Sequence, residues 1–244
     1  MGVSPVVRPG GVWLVVALGA LSSFGPLCLD MYLPALPELP GDLSSTASAA
    51  QLTLSACIVG LGVGQLITGP LSDRLGRRGP LLVGVAVFVA ASVVCAVTTS
   101  MTVLIVVRLV QGAAGAAGIV VGRAVIADLF AGKVAAAYFS TIAAINGLSP
   151  ILAPVIGGQV LRVGTWRTVF WVLAGIGVVM LLLAFFVIRE TLPPERRSSG
   201  GMTGDLRAFG TLLRDRGWMA VGDLRPSMVP GWADLPPPRW VAFP

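Results

Sequence analysis

The sequence predicts an all-α integral membrane protein, a bundle of six membrane-spanning helices, and three observations carry that reading. Charged residues make up only 11% of the 244-residue chain against 55% hydrophobic ones, with a mean hydropathy of +0.89. A soluble domain needs far more charge, because its surface faces water. The stretches 11–29, 43–72, 79–107, 109–122, 134–161 and 168–188 contain no Asp, Glu, Lys or Arg, and a window of about 18–20 apolar residues is long enough to cross the hydrocarbon core. Small residues recur at helical spacing, above all in "GAAGAAGIVVG" (112–122), where Ala114, Gly118 and Gly122 share one face. Such a face lets helix backbones approach closely.

The elements follow in order. Residues 1–10 form a short amino-terminal segment, and 11–190 hold the bundle. The first span, 11–36, runs through Asp30 into "MYLPALP" without a small-residue cleavage site, so it is no signal peptide. Pro26, four residues before Asp30, removes a backbone hydrogen bond and predicts a kink. The second span is 46–71. The third and fourth, 80–99 and 102–123, are separate spans, the fourth interrupted by Arg108. The fifth, 135–161, carries "NGLSPILAPVIGG" with Pro150 and Pro154 at i, i+4 and Gly157 and Gly158 after them. Either this helix flexes at a bundle interface or it is simply a kinked structural helix. The sixth span is 167–189. After it the polar, Pro/Gly-rich stretch 191–216 reads as a linker with a short amphipathic helix at 205–216. Residues 217–244, with two Gly-Trp pairs and no periodicity, read as an aberrant, disordered tail.

Lys and Arg fall unevenly between the two sides. Arg8, Arg74, Arg77, Arg78, Arg123, Lys133, Arg189, Arg196 and Arg197 share one side, while only Arg162 and Arg167 lie on the other. The positive-inside rule makes the first side cytoplasmic, together with both ends of the bundle. The net charge of +6 therefore reads as basic loops rather than as a nucleic-acid surface. Cys28, Cys57 and Cys95 lie inside apolar runs with no metal spacing and read as small hydrophobes. The chain has no histidine, the commonest metal ligand and general base. With no paired carboxylates in one span and no nucleophile motif, an enzyme is not expected, nor a metal or other cofactor.

An ionisable side chain at membrane depth costs about 2.5–3.5 kcal/mol on insertion scales, so it needs a partner or a task. Asp30 either lines a cavity or sits at the interface beyond the end of the first span. Arg108, with Gln111 at i+3 and Gly115 at i+7, either faces a water-filled cavity or forms a structural buried pair. Tyr32 and Asn146 add polar groups to the same cavity. Between the second and third spans, "GPLSDRLGRRGP" (69–80) gathers Asp73, Arg74, Arg77 and Arg78 between glycines.

Three motifs carry a resemblance. The loop from Gly69 to Leu81, with Leu71, Asp73, Arg74, Gly76, Arg77 and Arg78 in place, is similar to the signature between spans two and three of the major facilitator superfamily. "LIVVRLVQGAAGAA", through Leu104, Arg108, Gln111 and Gly112, resembles its fourth-span motif. "LAPVIGG", through Pro154, Gly157 and Gly158, resembles its antiporter motif, with Ala153 where glycine is more usual. With "LDMYLPALP" (29–37), the chain resembles the amino-terminal half of a drug:proton antiporter of the Bcr/CflA group of bacterial multidrug efflux transporters.

That resemblance, over about residues 10–216, implies a six-helix bundle of 3+3 helices in the bacterial inner membrane, lacking the second six-helix half. It implies proton-driven efflux of small drug-like compounds, with the proton gradient as driving force and no cofactor. Asp30 would be the coupling carboxylate and Arg108 its modulator, with Tyr32, Gln111 and Asn146 along the substrate pathway. Gly69, Asp73, Arg74, Gly76, Arg77, Arg78 and Asp128 would form the cytoplasmic gate, with Asp128 as acidic partner to the loop. A latch that also works against the second half is expected to be only partly assembled here. Pro150, Pro154, Gly157 and Gly158 would let the fifth span bend. The partners are a small-molecule substrate, the lipid bilayer and a second transporter half. The expected origin of the half-length is truncation or a frameshift after residue 216. The alternative is a non-transporting membrane fragment that associates with full-length transporters or with itself.

Overall fold

The computed structural model describes residues 12–193, Glu195 and Arg197. The expectations for residues 1–10, for most of the linker 191–216 and for the tail 217–244 lie outside the described residues. Within them the chain is helical, with no strand among the described residues.

The first span, expected over 11–36 with a kink at Pro26, breaks three residues before that proline. It is two pieces, α1 (Val12–Ser22) and α2 (Phe24–Asp30), followed by a 3-10 helix Leu33–Glu38 and a short α3 (Leu39–Asp42). The physical reason is local. Ser22 Oγ and Ser23 Oγ both donate to the Gly19 carbonyl, at 2.7 and 3.1 Å. The Ser23 N–H turns to the Ala20 carbonyl at 3.1 Å, a tightened turn of the 3-10 type. Pro26 has no N–H to return to the Ser22 carbonyl. Two serines competing for backbone and a proline four residues on break the helix at Ser23.

Among the described residues five helices are then long and apolar enough to cross a membrane: α4 (Ala47–Leu75), α5 (Arg78–Val97), α6 (Met101–Leu129), α7 (Gly132–Val163) and α8 (Trp166–Val187). Thr46 caps α4 by accepting the Ala49 N–H at 3.2 Å. Gly76 ends it at φ 95°, where a side chain would be strained. Thr165 and Thr168 form a capping box at the start of α8. Helix α7 is one uninterrupted helix through both Pro150 and Pro154.

Helix α6 is the centre, packing against α1, α2, α4, α5 and α7. Its tightest neighbour is α4. A Cβ added at Gly112 would meet the Cys57 carbonyl, one at Gly60 the Leu109 carbonyl, and one at Gly64 the backbone of Ala113. The small-residue face at Gly118 and Gly122 turns instead to the Leu21 and Leu18 carbonyls of α1. Two apolar clusters result. One joins Leu18, Phe24, Cys28 and Cys57 to Val85, Phe88, Val125 and Ile188. The other joins Tyr32, Leu39 and Ala50 to Leu104, Trp166 and Phe170. At the second cluster's end, Asp42 accepts hydrogen bonds from Trp166 Nε1 at 2.8 Å and Arg167 Nη1 at 3.3 Å, which tie the 33–45 connector to the start of α8.

Candidate functional site

Arg108 lies where the two clusters meet, about 10 Å along α6 from Met101 at a rise of ~1.5 Å per residue. It is fully buried. Its Nη1 donates to the Cys28 carbonyl at 3.0 Å, to Cys28 Sγ at 3.2 Å and to Gln111 Oε1 at 2.8 Å. Gln111 Nε2 passes the chain on to Ser92 Oγ at 2.7 Å, and Ser92 donates to the Phe88 carbonyl at 2.8 Å. The guanidinium also sits over the Tyr32 ring, 4.5 Å from its centroid, with Phe170 at 5.7 Å, so both aromatic faces stabilise the charge. Tyr32 is held in turn: its hydroxyl donates to Thr53 Oγ1 at 2.9 Å, whose own proton goes to the Ala50 carbonyl at 2.6 Å.

Arg108 Nε and Nη2 are nevertheless buried without a partner, and among the described residues no carboxylate pairs with this charge. Asp30 ends α2 half-buried. No ion pair joins it to Arg108, although it stands only two residues beyond Cys28. The structure thus brings Arg108, Gln111 and Tyr32 together and does not bring Asp30 into contact with them.

Asn146 belongs to a different polar seam. Its Oδ1 lies 3.3 Å from Ser22 Oγ, and Ser149 Oγ lies 3.4 Å from Ser23 Oγ. Helix α7 therefore meets the first span at its break. One turn beyond Pro154, Gly157 is buried against the Met31 carbonyl, whereas a Cβ at Gly158 would meet nothing within 4 Å. Pro150 is exposed.

Sequence reasoning missed Cys28, Thr53, Ser92 and the Ser22–Ser23 pair. Each is small, sits in an apolar run and passes for packing. The serine pair ahead of Pro26 was the one local signal available.

The charged connector builds a second centre at the opposite end of α4. Its hub is Arg77; Arg74, expected in the same gate, is exposed. Arg77 pairs with Asp73 one turn back and with Asp128 at 2.9 Å, and donates to Ser72 Oγ at 2.9 Å. Asp128 also accepts from Thr191 Oγ1 at 3.2 Å. Ser72 donates to the Gly69 carbonyl at 2.9 Å. Arg78 reaches the Phe185 carbonyl at 2.9 Å and lies over its ring at 5.2 Å, which pins α5 to α8.

Glu190, which the sequence did not single out, closes this centre. It accepts the backbone N–H of Arg77 at 2.8 Å, of Arg78 at 3.3 Å and of Leu192 at 3.1 Å. A Cβ at Gly76 would strike its carboxylate, so glycine there serves both the turn and the approach. Burial pushes the Glu190 carboxyl up, but these three N–H groups and the Arg197 charge outweigh it and hold it below its usual range. A carboxyl lowered by folding contributes stability that is present above its ordinary pKa and lost as pH falls through the lowered value. The thermal midpoint in detergent is therefore expected to fall on acidification below the ordinary value of 4.5. A Glu190→Gln chain should show a shallower acid dependence, and equal slopes for the two proteins would refute the assignment. Arg197 is the cation acting on this carboxylate; Arg77 and Arg78 meet it through backbone N–H groups, their guanidinium groups being turned to Asp73 and Asp128 and to Phe185.

Comparison with known proteins places this geometry. The sequence model of the family described as Major Facilitator Superfamily matches residues 12–233, running past residue 216, where the family pattern was expected to stop. An uncharacterized MFS-type transporter YdgK of Bacillus subtilis (strain 168) is 43% identical over 208 residues, covering 84% of this chain and 52% of the relative. A bicyclomycin resistance protein homolog of Haemophilus influenzae is 36% identical over 183 residues, covering 75% of this chain and 46% of the relative. The chain thus spans about half the length of the curated relatives it matches. Among solved structures, the human organic anion transporter MFSD10 (TETRAN) superposes with a TM-score of 0.64 at 20% identity, over 79% of this chain and 51% of that one. This last likeness is one of fold.

Proposed function

The chain belongs to the Major Facilitator Superfamily, a family of transporters, and on that premise we propose that it serves proton-coupled efflux of small drug-like compounds. The carrying observation is Arg108, a fully buried guanidinium with two unpartnered nitrogens and no carboxylate partner among the described residues. A charge left uncompensated at membrane depth is costly and marks a working site. The bicyclomycin resistance homolog supports a drug as cargo. Asp30 is the proton-carrying carboxylate, two residues beyond Cys28, whose carbonyl Arg108 holds. Tyr32 and Gln111 line the pathway beside it, and Asn146 lines it at the first-span break. The Arg77 centre is the cytoplasmic gate, in an inner membrane with both bundle ends cytoplasmic. These spans supply one wall of the pathway, and a second six-span unit supplies the other.

The test uses everted vesicles carrying the chain with a second six-span unit, bicyclomycin and a pH-sensitive dye. Drug addition is expected to release protons with the wild-type chain and not with Asp30→Asn. Release that persists unchanged in Asp30→Asn overturns the coupling role.

A second reading, association without transport, is favoured by the bareness of α7. Of its residues only Ile142, Ala153 and Gly157 are buried, which leaves an apolar face for another helical unit. Under that reading the vesicles show co-purification of the chain with a full-length transporter and no drug-driven proton movement.

A further inference from the structure

The cysteines scattered along the sequence do not stay apart. Cys28 Sγ and Cys57 Sγ lie 3.3 Å from each other, although the residues belong to α2 and α4. Both are free thiols and both are buried. Arg108 Nη1 stands 3.2 Å from Cys28 Sγ. A guanidinium N–H can only donate, so the Cys28 sulfur meets it as acceptor, which turns the thiol's own proton toward Cys57. Nε and Nη2 of the same guanidinium are unpartnered, so hydrogen-bond donors without acceptors stand beside a pair of sulfurs.

The chemistry of the pair selects its ligand. Thiols prefer soft centres. Among the described residues no three His, Cys, Asp or Glu are close enough to hold a metal ion, so a tetrahedral metal lacks its ligands. A linear two-coordinate cation would hold the sulfurs about 4.6 Å apart, twice a typical metal–sulfur bond of ~2.3 Å. That spacing would require α2 and α4 to separate. A pyramidal centre with bond angles close to a right angle holds two sulfurs much closer, and it needs only two when it brings its own third substituent. Trivalent organic arsenic meets both conditions.

We propose that Cys28 and Cys57 form a two-thiol binding site for trivalent monoorganic arsenicals. The hydrated arsenical carries two As–OH groups. Each thiol replaces one hydroxyl, so two As–S bonds form, two As–O bonds break and the two thiol protons leave as water. Arsenic stays trivalent, and no oxidant or reductant takes part. Arg108 Nε and Nη2, which are without partners, are the donors available to the departing oxygens. The product staples the first span to α4. This inference stands independently of the transport reading.

The test uses the whole chain in detergent and hydrated phenylarsine oxide. One phenylarsenic adduct per chain is expected by intact mass. It should resist a monothiol wash about a hundredfold longer than a single-cysteine adduct, as expected of two-point attachment, and leave with a 1,2-dithiol. Peptide mapping should place it between the segments holding Cys28 and Cys57. Cys28→Ser and Cys57→Ser should each lose the wash-resistant adduct, and Cys95→Ser should keep it. Absence of a wash-resistant adduct on the wild-type chain overturns the proposal, as does mapping to Cys95. Mapping on the unsubstituted chain keeps the test decisive even where a serine variant fails to fold.

Discussion

A Gly112→Leu chain is expected to lose its cooperative thermal transition in detergent, and Gly112→Ala to melt well below the parent. The cause is the α4–α6 contact. A methyl at Gly112 would overlap the Cys57 carbonyl, with the Cys57 carbonyl carbon and the Leu61 nitrogen close behind. These are backbone atoms, so no rotamer change relieves the clash; one helix must move. It cannot move freely, because Gly60 presses on the Leu109 carbonyl and Gly64 on Ala113 from the other side of the same seam. Overpacking costs about 1–3 kcal/mol where side chains can yield, so alanine is expected to cost about that much and leucine more. Against a total stability of about 5–15 kcal/mol, the larger residue removes a large fraction. Gly62, on the facing helix α4, is the control, since a Cβ there meets nothing within 4 Å. Gly62→Leu should melt near the parent, and equal losses at both positions would refute the account. Separating α4 from α6 also draws Cys57 away from Cys28 and Arg108, so Gly112→Ala should weaken the arsenical adduct in step with its stability.

The transmembrane architecture was legible because its cause is additive: each apolar window reports on itself, whatever it packs against. The break at Ser23 was not, although Pro26 was visible. A proline predicts a lost hydrogen bond but not where the helix gives way, which two serine hydroxyls competing for Gly19 decide. Arg108, Gln111 and Tyr32 stood out because polar groups are expensive in an apolar run. Their partners did not: Cys28 lies 80 residues from Arg108 and Ser92 lies 19 from Gln111. Nothing in a cysteine or serine inside an apolar window announces a long-range contact. The connector shows the same boundary. Composition placed Asp73, Arg74, Arg77 and Arg78 in one loop, but the positive φ of Gly76 folds Arg77 back over Asp73 and Asp128 and leaves Arg74 outside. Glu190, 113 residues from Arg77 in sequence, completes that centre from beyond the last helix.

Arg108→Met is expected to abolish drug-driven proton movement while leaving the fold nearly as stable as the parent, or more so. Two opposing contributions decide the stability. The substitution strands acceptors at the Cys28 carbonyl and Gln111 Oε1, at about 1–3 kcal/mol for a buried group left unsatisfied. It also removes a fully buried cation that no described carboxylate neutralises. Burying an ion costs several kcal/mol even after relaxation, and replacing buried ionic groups with apolar ones of similar volume is often neutral or stabilising by about 1–4 kcal/mol. Methionine is long and flexible enough to fill the space against Tyr32 and Phe170. The contributions therefore nearly cancel, unlike the loss of about 3–5 kcal/mol that follows removal of one partner from a true buried ion pair. Under the proposed coupling role function has no such offset, because Met carries no charge with which to bias Asp30. In everted vesicles the drug-dependent proton signal should drop to background, while the thermal midpoint in detergent stays within a few degrees of the parent or rises. A midpoint far below the parent would make Arg108 a structural strut. Undiminished proton movement would remove it from the coupling machinery. Arg108→Lys separates charge from shape: it keeps a cation but loses the planar fork that reaches both Cys28 and Gln111, so partial activity there assigns the role to charge, and none assigns it to the fork.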